Sequence, residues 1–164
     1  MGIYFNPTNE SFTQAKNSMI YVDKTELLEQ LNLRLSTENK CIAVSHARRF
    51  GKSHAAGMID AYYSLGCDSS NLFDNTKIAA NADYKKYMNK YNVIHLDIAS
   101  VWDFHKEDLV ESIKERVCKD FKKKYNDTLD YSQDLYLLIQ EIYEITNTQF
   151  VIIIDEWDCV IRNS

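Results

Sequence analysis

Two short stretches of this 164-residue chain carry residues that could bind and cleave a phosphate chain. His46–Ser53 reads HARRFGKS, and Phe150–Glu156 reads FVIIIDE. A glycine, a lysine and a hydroxyl residue in succession, between a strand and a helix, are typical of a loop that wraps phosphates. An apolar strand ending in two carboxylates supplies oxygen ligands for a divalent cation. Asp155 follows Lys52 by 103 residues, a spacing that fits one α/β domain.

The first stretch predicts a phosphate-binding loop, or P-loop. Gly51 lets the backbone approach the phosphates without a side chain in the way, Lys52 is expected to reach the β- and γ-phosphates, and Ser53 is expected to bind magnesium through its hydroxyl. A strand is predicted at Cys41–Ser45, and a helix from Ser53 to about Leu65. That helix presents free N–H groups and the positive end of its dipole to the anion.

One position departs from the P-loop pattern, because its first glycine falls on His46. A residue other than glycine in a left-handed conformation costs about 1–2 kcal/mol. The loop therefore either bends differently or tolerates strain. The alternative interpretation is a strand–turn–helix with an accidental Gly-Lys-Ser, which the downstream Asp-Glu disfavours.

The second stretch predicts the residues that serve a metal ion and a water molecule. Val151–Ile154 form a buried strand, and ligands gather at the carboxyl ends of strands in open α/β sheets. Asp155 is expected to hold magnesium, usually through water. Glu156 is expected to orient or deprotonate the attacking water. The alternative is that both carboxylates simply end the strand as solvated charges.

Three strings resemble the bacterial and archaeal AAA-ATPase-like proteins: YVDKT at Tyr21–Thr25, RRFGKS at Arg48–Ser53 and IIIDEWD at Ile152–Asp158. The likeness runs from about Asn6 to Ile161, nearly the whole chain. It implies a P-loop ATPase of the additional-strand, catalytic-glutamate division. Members of this family usually continue into a C-terminal domain similar to PD-(D/E)XK nucleases.

The resemblance also implies roles for individual residues, with ATP and Mg²⁺ as ligand and cofactor. Ser53 and Asp155 correspond to the metal site, and Glu156 corresponds to the catalytic residue. The family usually has Arg-Pro where this chain has His46 and Ala47, so the loop lacks a stiffening proline and a charge. The nucleotide-binding positions implied are Arg48, Arg49, Phe50, Gly51, Lys52 and Ser53.

Elsewhere the apolar spacing predicts helices that alternate with strands. A strand is predicted at Val93–Ile98. Apolar residues at helical spacing predict three further helices. The fold class expected is α/β, a P-loop NTPase with a parallel sheet covered by helices. The apolar positions of the helices are Leu27, Leu28, Leu31 and Leu35, with Thr25 as cap; Leu109, Ile113, Val117 and Phe121; and Leu135, Leu138, Ile139, Ile142 and Tyr143.

The order of strands raises a topological question. In the division that the chain resembles, another strand lies between the Lys52 strand and the Asp155 strand, and it follows Asp155 in sequence. Only nine residues follow Asp155 here. Residues 1–164 are therefore expected to be a single P-loop NTPase domain that stops just after its Walker B strand, with a sheet incomplete at the C-terminus. Alternatively, the two motif strands pair directly.

Composition restricts the partners of this segment. A net charge of −5 argues against nucleic-acid binding across the whole chain, and the basic run Lys119–Lys124 is expected to be a solvated helix face. No stretch approaches the roughly 20 apolar residues of a membrane span. We see no secretion signal, so a cytoplasmic location is expected. The cysteines lack paired spacing and are expected to be buried free thiols: Cys41, Cys67, Cys118 and Cys159.

Two functions remain open. In the first, the chain binds and hydrolyses ATP, and its turnover drives a nuclease-like partner supplied by a C-terminal domain or a separate chain. In this case residues 1–164 alone are expected to be inactive. In the second, the chain is a catalytically silent fragment or interaction module that retains at most nucleotide binding.

Overall fold

The computed structural model describes residues 2–45, 51–104 and 107–162. It has the mixed helices and strands that the sequence predicts for an α/β protein, but they do not alternate strictly, because several helices in succession separate the two strands. Short 3₁₀ turns at Lys77–Ala80, Tyr84–Lys86 and Asn126–Thr128 connect some of them. The helices and strands of the described ranges are α1 (Glu10–Lys16), α2 (Glu26–Asn32), α3 (Lys52–Tyr63), α4 (Ser70–Phe73), β1 (Asn92–Asp97), α5 (Ile98–Trp102), α6 (Leu109–Tyr125), α7 (Leu135–Thr146), β2 (Phe150–Asp155) and α8 (Cys159–Arg162).

The sheet consists of β1 and β2, which run parallel. Their register begins with Asn92 opposite Phe150 and ends with Asp97 opposite Asp155. Three helices, α5, α6 and α7, form the crossover between the strands, as a parallel connection requires. On the other edge of β1, Phe5 forms an isolated antiparallel bridge with Ile94. The expectation of a parallel sheet is confirmed, although the sheet is small.

Successive side chains of each strand point to opposite faces of the sheet, and each face packs into a different hydrophobic core. Val93, Val151 and Ile153 pack with α3, while Ile94 and Phe150 pack with α6 and α7. This period of two is the geometry of a strand whose two faces pack against different cores. The prediction that the strand at Val151–Ile154 is buried is wrong, because every residue of β2 is at least partly exposed. At β2 the helices cover the second face of the sheet only in part, and Ile152 and Ile154 are therefore 51% and 53% exposed.

The prediction of a strand at Cys41–Ser45 is wrong. These five residues have no regular secondary structure and are exposed. An apolar, β-branched sequence forms a stable strand only when its backbone groups find a partner. Within the described residues, β2 pairs with β1 alone, so the two motif strands do not pair directly.

Two element boundaries also differ from the sequence prediction. The strand expected to include Ile98 ends at Asp97, whose side chain accepts a hydrogen bond from the Ser100 N–H and thereby caps α5. The helix expected to reach Leu65 ends at Tyr63. Leu65 instead donates its N–H to the carbonyl of Tyr91, which replaces the helical hydrogen bond.

The four cysteines are free thiols, as expected, but they are not all buried. Cys118 and Cys159 are buried, Cys67 is partly exposed and Cys41 is exposed. The prediction that Cys41 is buried is wrong because the strand expected to bury it does not form. Along the described ranges, the helices are all too short or too polar to cross a membrane.

Candidate functional site

The first half of the candidate site is the N-terminus of α3. Gly51 is the N-cap of this helix and has left-handed backbone angles, with φ 75° and ψ 35°. Lys52 and Ser53 occupy the first turn, and Ser53 is exposed. The first N–H groups of a helix lack intrahelical acceptors and carry the positive end of its dipole. An anion at this position would therefore meet both N–H donors and a lysine.

The direction of α3 is set by contacts at its other end. The Tyr91 N–H donates to the Tyr63 carbonyl at 3.0 Å, and the Leu65 N–H donates to the Tyr91 carbonyl at 2.8 Å. The C-terminus of α3 is thus fixed beside the start of β1. Further along the strand, Asp60 of α3 contacts His95 of β1. The helix therefore runs antiparallel to the strand on which it packs.

This direction brings the N-terminus of α3 to the carboxyl end of the sheet. Lys52 precedes Asp60 by eight residues, or about 12 Å of helix. Asp97 follows His95 by two residues, or about 7 Å of strand. Both displacements point the same way, so Lys52 lies at the end where Asp97 and Asp155 pair across the strands.

The second half of the site is the turn after β2. Asp155 accepts a hydrogen bond from the Glu156 N–H at 2.9 Å. Glu156 has a positive φ of 52°, and such a conformation costs a residue other than glycine about 1–3 kcal/mol. Arg162 of α8 forms an ion pair with Asp158 at 2.9 Å and reaches Glu156 at 3.5 Å. The turn holds two neighbouring carboxylates in a strained backbone.

The oxygen atoms of Ser53 and Asp155 would be better ligands for magnesium than for zinc. Mg²⁺ prefers oxygen ligands and commonly uses one or two protein groups together with substrate phosphates and water. A hydroxyl at Ser53 and a carboxylate at Asp155 supply oxygens of this kind at the same end of the sheet. In the described ranges, no three acidic, histidine or cysteine side chains gather as a metal site, so no metal cage made of protein ligands alone is present there.

Asp60, which is buried, and His95, which is partly buried, form a pair between α3 and β1. Oδ2 of Asp60 lies 2.6 Å from Nδ1 of His95. Burial by itself would lower the pKa of His95, but the hydrogen bond and charge of Asp60, helped by the charges of Asp155 and Asp97, raise that pKa above its usual value. The other oxygen of Asp60, Oδ1, is buried and meets no hydrogen-bond partner in the described part of the chain.

A pocket of about 400 Å³ adjoins Gly51. It lies between α1, the first two turns of α3 and residues 18–24, and its size falls within the roughly 300–1,000 Å³ of small-molecule sites. The hydroxyl of Tyr21 is buried without a hydrogen-bond partner among the described residues, and burial, with the charge of Asp23, raises the pKa of Tyr21 to about 12. The pocket is lined mainly by Phe12, Ile20, Tyr21, Val22, Ala55 and Met58.

The direction of α3 along β1 puts its first residues, Gly51, Lys52 and Ser53, towards the end of the sheet where Asp155 and Glu156 leave β2. The predicted positions Arg48, Arg49 and Phe50 lie outside the described residues.

Sequence reasoning missed Lys24 and Asp60. Each left a signal: Lys24 belongs to the YVDKT string, and Asp60 lies among the apolar residues of α3.

Comparison with known proteins gives one match. A family model with the description "Predicted AAA-ATPase" matches residues 9–164. Neither the curated proteins nor the solved structures gave a match.

Proposed function

Because the chain belongs to the family of predicted AAA-ATPases, we propose that it binds ATP with magnesium at the carboxyl end of the sheet and, together with its nuclease-like partner, hydrolyses it there. One observation carries the proposal. The antiparallel packing of α3 on β1 puts the N-terminus of α3 at the end where Asp155 and Glu156 leave β2. A phosphate chain at that helix end would lie between a lysine and two carboxylates.

In this proposal the HARRFGKS sequence of residues 46–53 acts as a phosphate-binding sequence. Lys52 binds the β- and γ-phosphates, and the free N–H groups of α3 donate to phosphate oxygens. Gly51 supports this role, since its left-handed backbone lacks a side chain where the phosphates would approach. Family resemblance adds Arg48, Arg49 and Phe50 as further contacts.

The second half of the proposal concerns the metal and the water. Ser53 and Asp155 would hold magnesium, which neutralises charge on the transferred phosphoryl group when bound with ATP. Glu156 would accept a proton from the attacking water or orient it. The turn that holds Glu156 has a strained backbone, and strain of this kind is concentrated at functional sites.

The pocket beside Gly51 supports a nucleotide rather than a simple polyphosphate as the ligand. Its walls are largely apolar, and Ser18, Lys24 and His54 add a few polar side chains to them. Small-molecule sites commonly combine an apolar lining with a few polar groups that fix orientation. We assign the nucleoside part of ATP to this pocket.

Titration with a fluorescent ATP analogue and magnesium tests the proposal. Lys52→Ala is expected to remove most of the affinity, because it deletes the main side-chain contact to the phosphates. Lys119→Ala is the matched control, since it removes the same charge from an exposed position on α6. Unchanged affinity in Lys52→Ala, or an equal loss in both variants, would show that the assignment of this loop is wrong.

The pocket has its own test. Ala55 lines it from the first turn of α3, so Ala55→Leu would fill part of the volume without breaking the helix. This variant is expected to lose affinity for ATP while retaining affinity for inorganic tripolyphosphate. Equal affinities of the variant and the unaltered chain for ATP would place the nucleoside elsewhere.

A second candidate function, an interaction module without catalysis, is favoured by exposed apolar side chains on and after β2. The partner proposed is the nuclease-like domain that usually accompanies this family, supplied in the same chain or separately. If that function is correct, the ATP titration will fail while the partner domain still co-purifies with this segment. The side chains concerned are Ile152, Ile154, Trp157 and Ile161, with exposures from 51% to 69%.

A further inference from the structure

Lys24 lies at the N-terminus of α3 although it comes from a distant part of the chain. Its ammonium nitrogen is 3.0 Å from the position that a Cβ atom would take on Gly51. Lys24 and Gly51 also line the same pocket. The lysine of the YVDKT string is thus adjacent to the glycine of the RRFGKS string.

The residues on either side of Lys24 fix its position. Asp23 accepts hydrogen bonds from the N–H and the hydroxyl of Thr25, at 2.8 and 2.7 Å. Its second oxygen accepts the N–H of Lys77 at 2.8 Å. Thr25 is fully buried, and its hydroxyl oxygen accepts the N–H of Ile78 at 3.1 Å. The turn that carries Lys24 is therefore held on both sides by the core.

Hydrogen bonding also keeps Asp23 charged. Burial alone would raise the pKa of Asp23, but the hydrogen bonds from Thr25 and from the backbone of Lys77 lower it overall. Asp23 thus stabilises the turn as a carboxylate near neutral pH. Both of its oxygens are engaged within the turn and by the neighbouring 3₁₀ turn.

The dipole of α3 by itself disfavours a cation at the location of Lys24. A cation at a helix N-terminus meets the positive end of the dipole, at a cost of about 0.3–1 kcal/mol. The first turn of α3 reads Lys-Ser-His-Ala, so a second cationic residue, Lys52, belongs to the same turn. Departures from local electrostatic rules tend to mark functional sites. A polyanionic ligand would reverse the sign of this cost.

We propose that Lys24 is a second phosphate-binding residue, which reaches the nucleotide from the N-terminal segment and faces Lys52 across the phosphate chain. This inference rests on the proposed function, because it assumes that phosphates bind at the N-terminus of α3. It explains the YVDKT string: Asp23 and Thr25 build the turn, Lys24 binds phosphate and Tyr21 contributes to the adjoining pocket.

Binding of ATP and of inorganic tripolyphosphate to Lys24→Met tests the inference. One lost hydrogen bond to a charged group corresponds to an affinity loss of about tenfold or more. The loss should be equal for the two ligands, because both share the phosphates. The dependence of affinity on salt concentration should become shallower, and Lys24→Arg should recover part of the affinity. A structural defect alone would produce neither the altered salt dependence nor the rescue.

Lys77→Met is the matched control. It removes the same charge from the neighbouring turn and leaves the backbone N–H that binds Asp23 in place. Unchanged tripolyphosphate affinity in Lys24→Met, or an equal loss in Lys77→Met, would overturn the inference. If Lys52→Ala loses affinity and Lys24→Met does not, the proposed function stands and the inference fails. If the unaltered chain binds neither ligand, both fail.

Discussion

Oδ2 of Asp60 on α3 lies 2.6 Å from Nδ1 of His95 on β1, with the two side chains only 7% and 20% exposed. This contact joins the helix that begins at Gly51 to the strand that ends at Asp97. A buried, charge-assisted hydrogen bond of this length is stronger than a neutral one. The pair therefore fixes where along β1 the helix rests, and with it the position of Lys52 relative to the carboxylates.

We predict that His95 titrates above its ordinary pKa of about 6.5 in the folded chain. Burial opposes this shift, while Asp60, Asp155 and Asp97 cause it. In Asp60→Asn the main partner charge is lost, so the pKa of His95 should fall below that of the unaltered chain. NMR titration of the imidazole measures both values. Equal pKa values in the two proteins would contradict the prediction.

The raised pKa of His95 also predicts how stability depends on pH. A group whose pKa is higher in the folded state contributes stability that is fully present below its unfolded-state pKa, about 6.5, and is lost as pH rises through the folded-state pKa. The free energy of unfolding should therefore decline over that window. In His95→Gln the free energy of unfolding should decline less over that window. Denaturant titrations at several pH values measure it, and identical pH profiles of the variant and the unaltered chain would exclude a contribution from His95.

Gly51→Ala should impair ligand binding as well as stability. A left-handed conformation costs alanine about 1–2 kcal/mol, and the new Cβ would approach the Lys24 ammonium. Gly66→Ala is the control, because Gly66 also has a positive φ, 93°, but lies beyond the C-terminus of α3. Both variants should lower the unfolding midpoint, and only Gly51→Ala should weaken binding of the ATP analogue. Equal binding losses would remove Gly51 from the site.

In the presence of the nuclease-like partner, Glu156→Gln should leave nucleotide binding intact and slow ATP hydrolysis by roughly a hundredfold, the lower end of the effect of a lost general base. Asp158→Asn is a matched control, since Asp158 shares the Arg162 ion pair and lies two residues away. Phosphate release measures the rates. If turnover is unchanged in Glu156→Gln, another residue activates the water. Asp155→Asn should instead weaken the magnesium dependence.

Replacing Ile152 and Ile154 by threonine should reduce self-association. Both side chains are about half exposed on a strand whose outer edge has no partner strand within the described ranges, and such edges promote aggregation. Threonine keeps the β-branched shape and removes apolar surface. Ile3→Thr, at a residue that is 78% exposed elsewhere, is the control. Light scattering measures the self-association. An equal decrease in Ile3→Thr would show that the loss of any exposed apolar side chain, and not of this strand's, causes the effect.

The sequence by itself determined the elements that bury apolar side chains at a regular period. The four-residue spacing from Leu109 to Phe121 predicted α6, and the apolar runs predicted β1 and β2, because burial of such patterns is favourable in only one type of element. It also placed Asp155 at the end of β2. The family followed from short strings, since their residue types and spacing are themselves the signal.

Only the tertiary structure decided which elements meet. The apolar run 41–45 resembles a strand, but a strand depends on a partner that local sequence does not specify. The contact of Lys24 with Gly51 and the pairing of Asp60 with His95 join residues 27 and 35 positions apart. Neither contact leaves a periodic pattern, because each depends on the packing of α3 against β1 and the N-terminal segment. The chemistry of the candidate site is thus encoded locally, and its geometry is set by long-range packing.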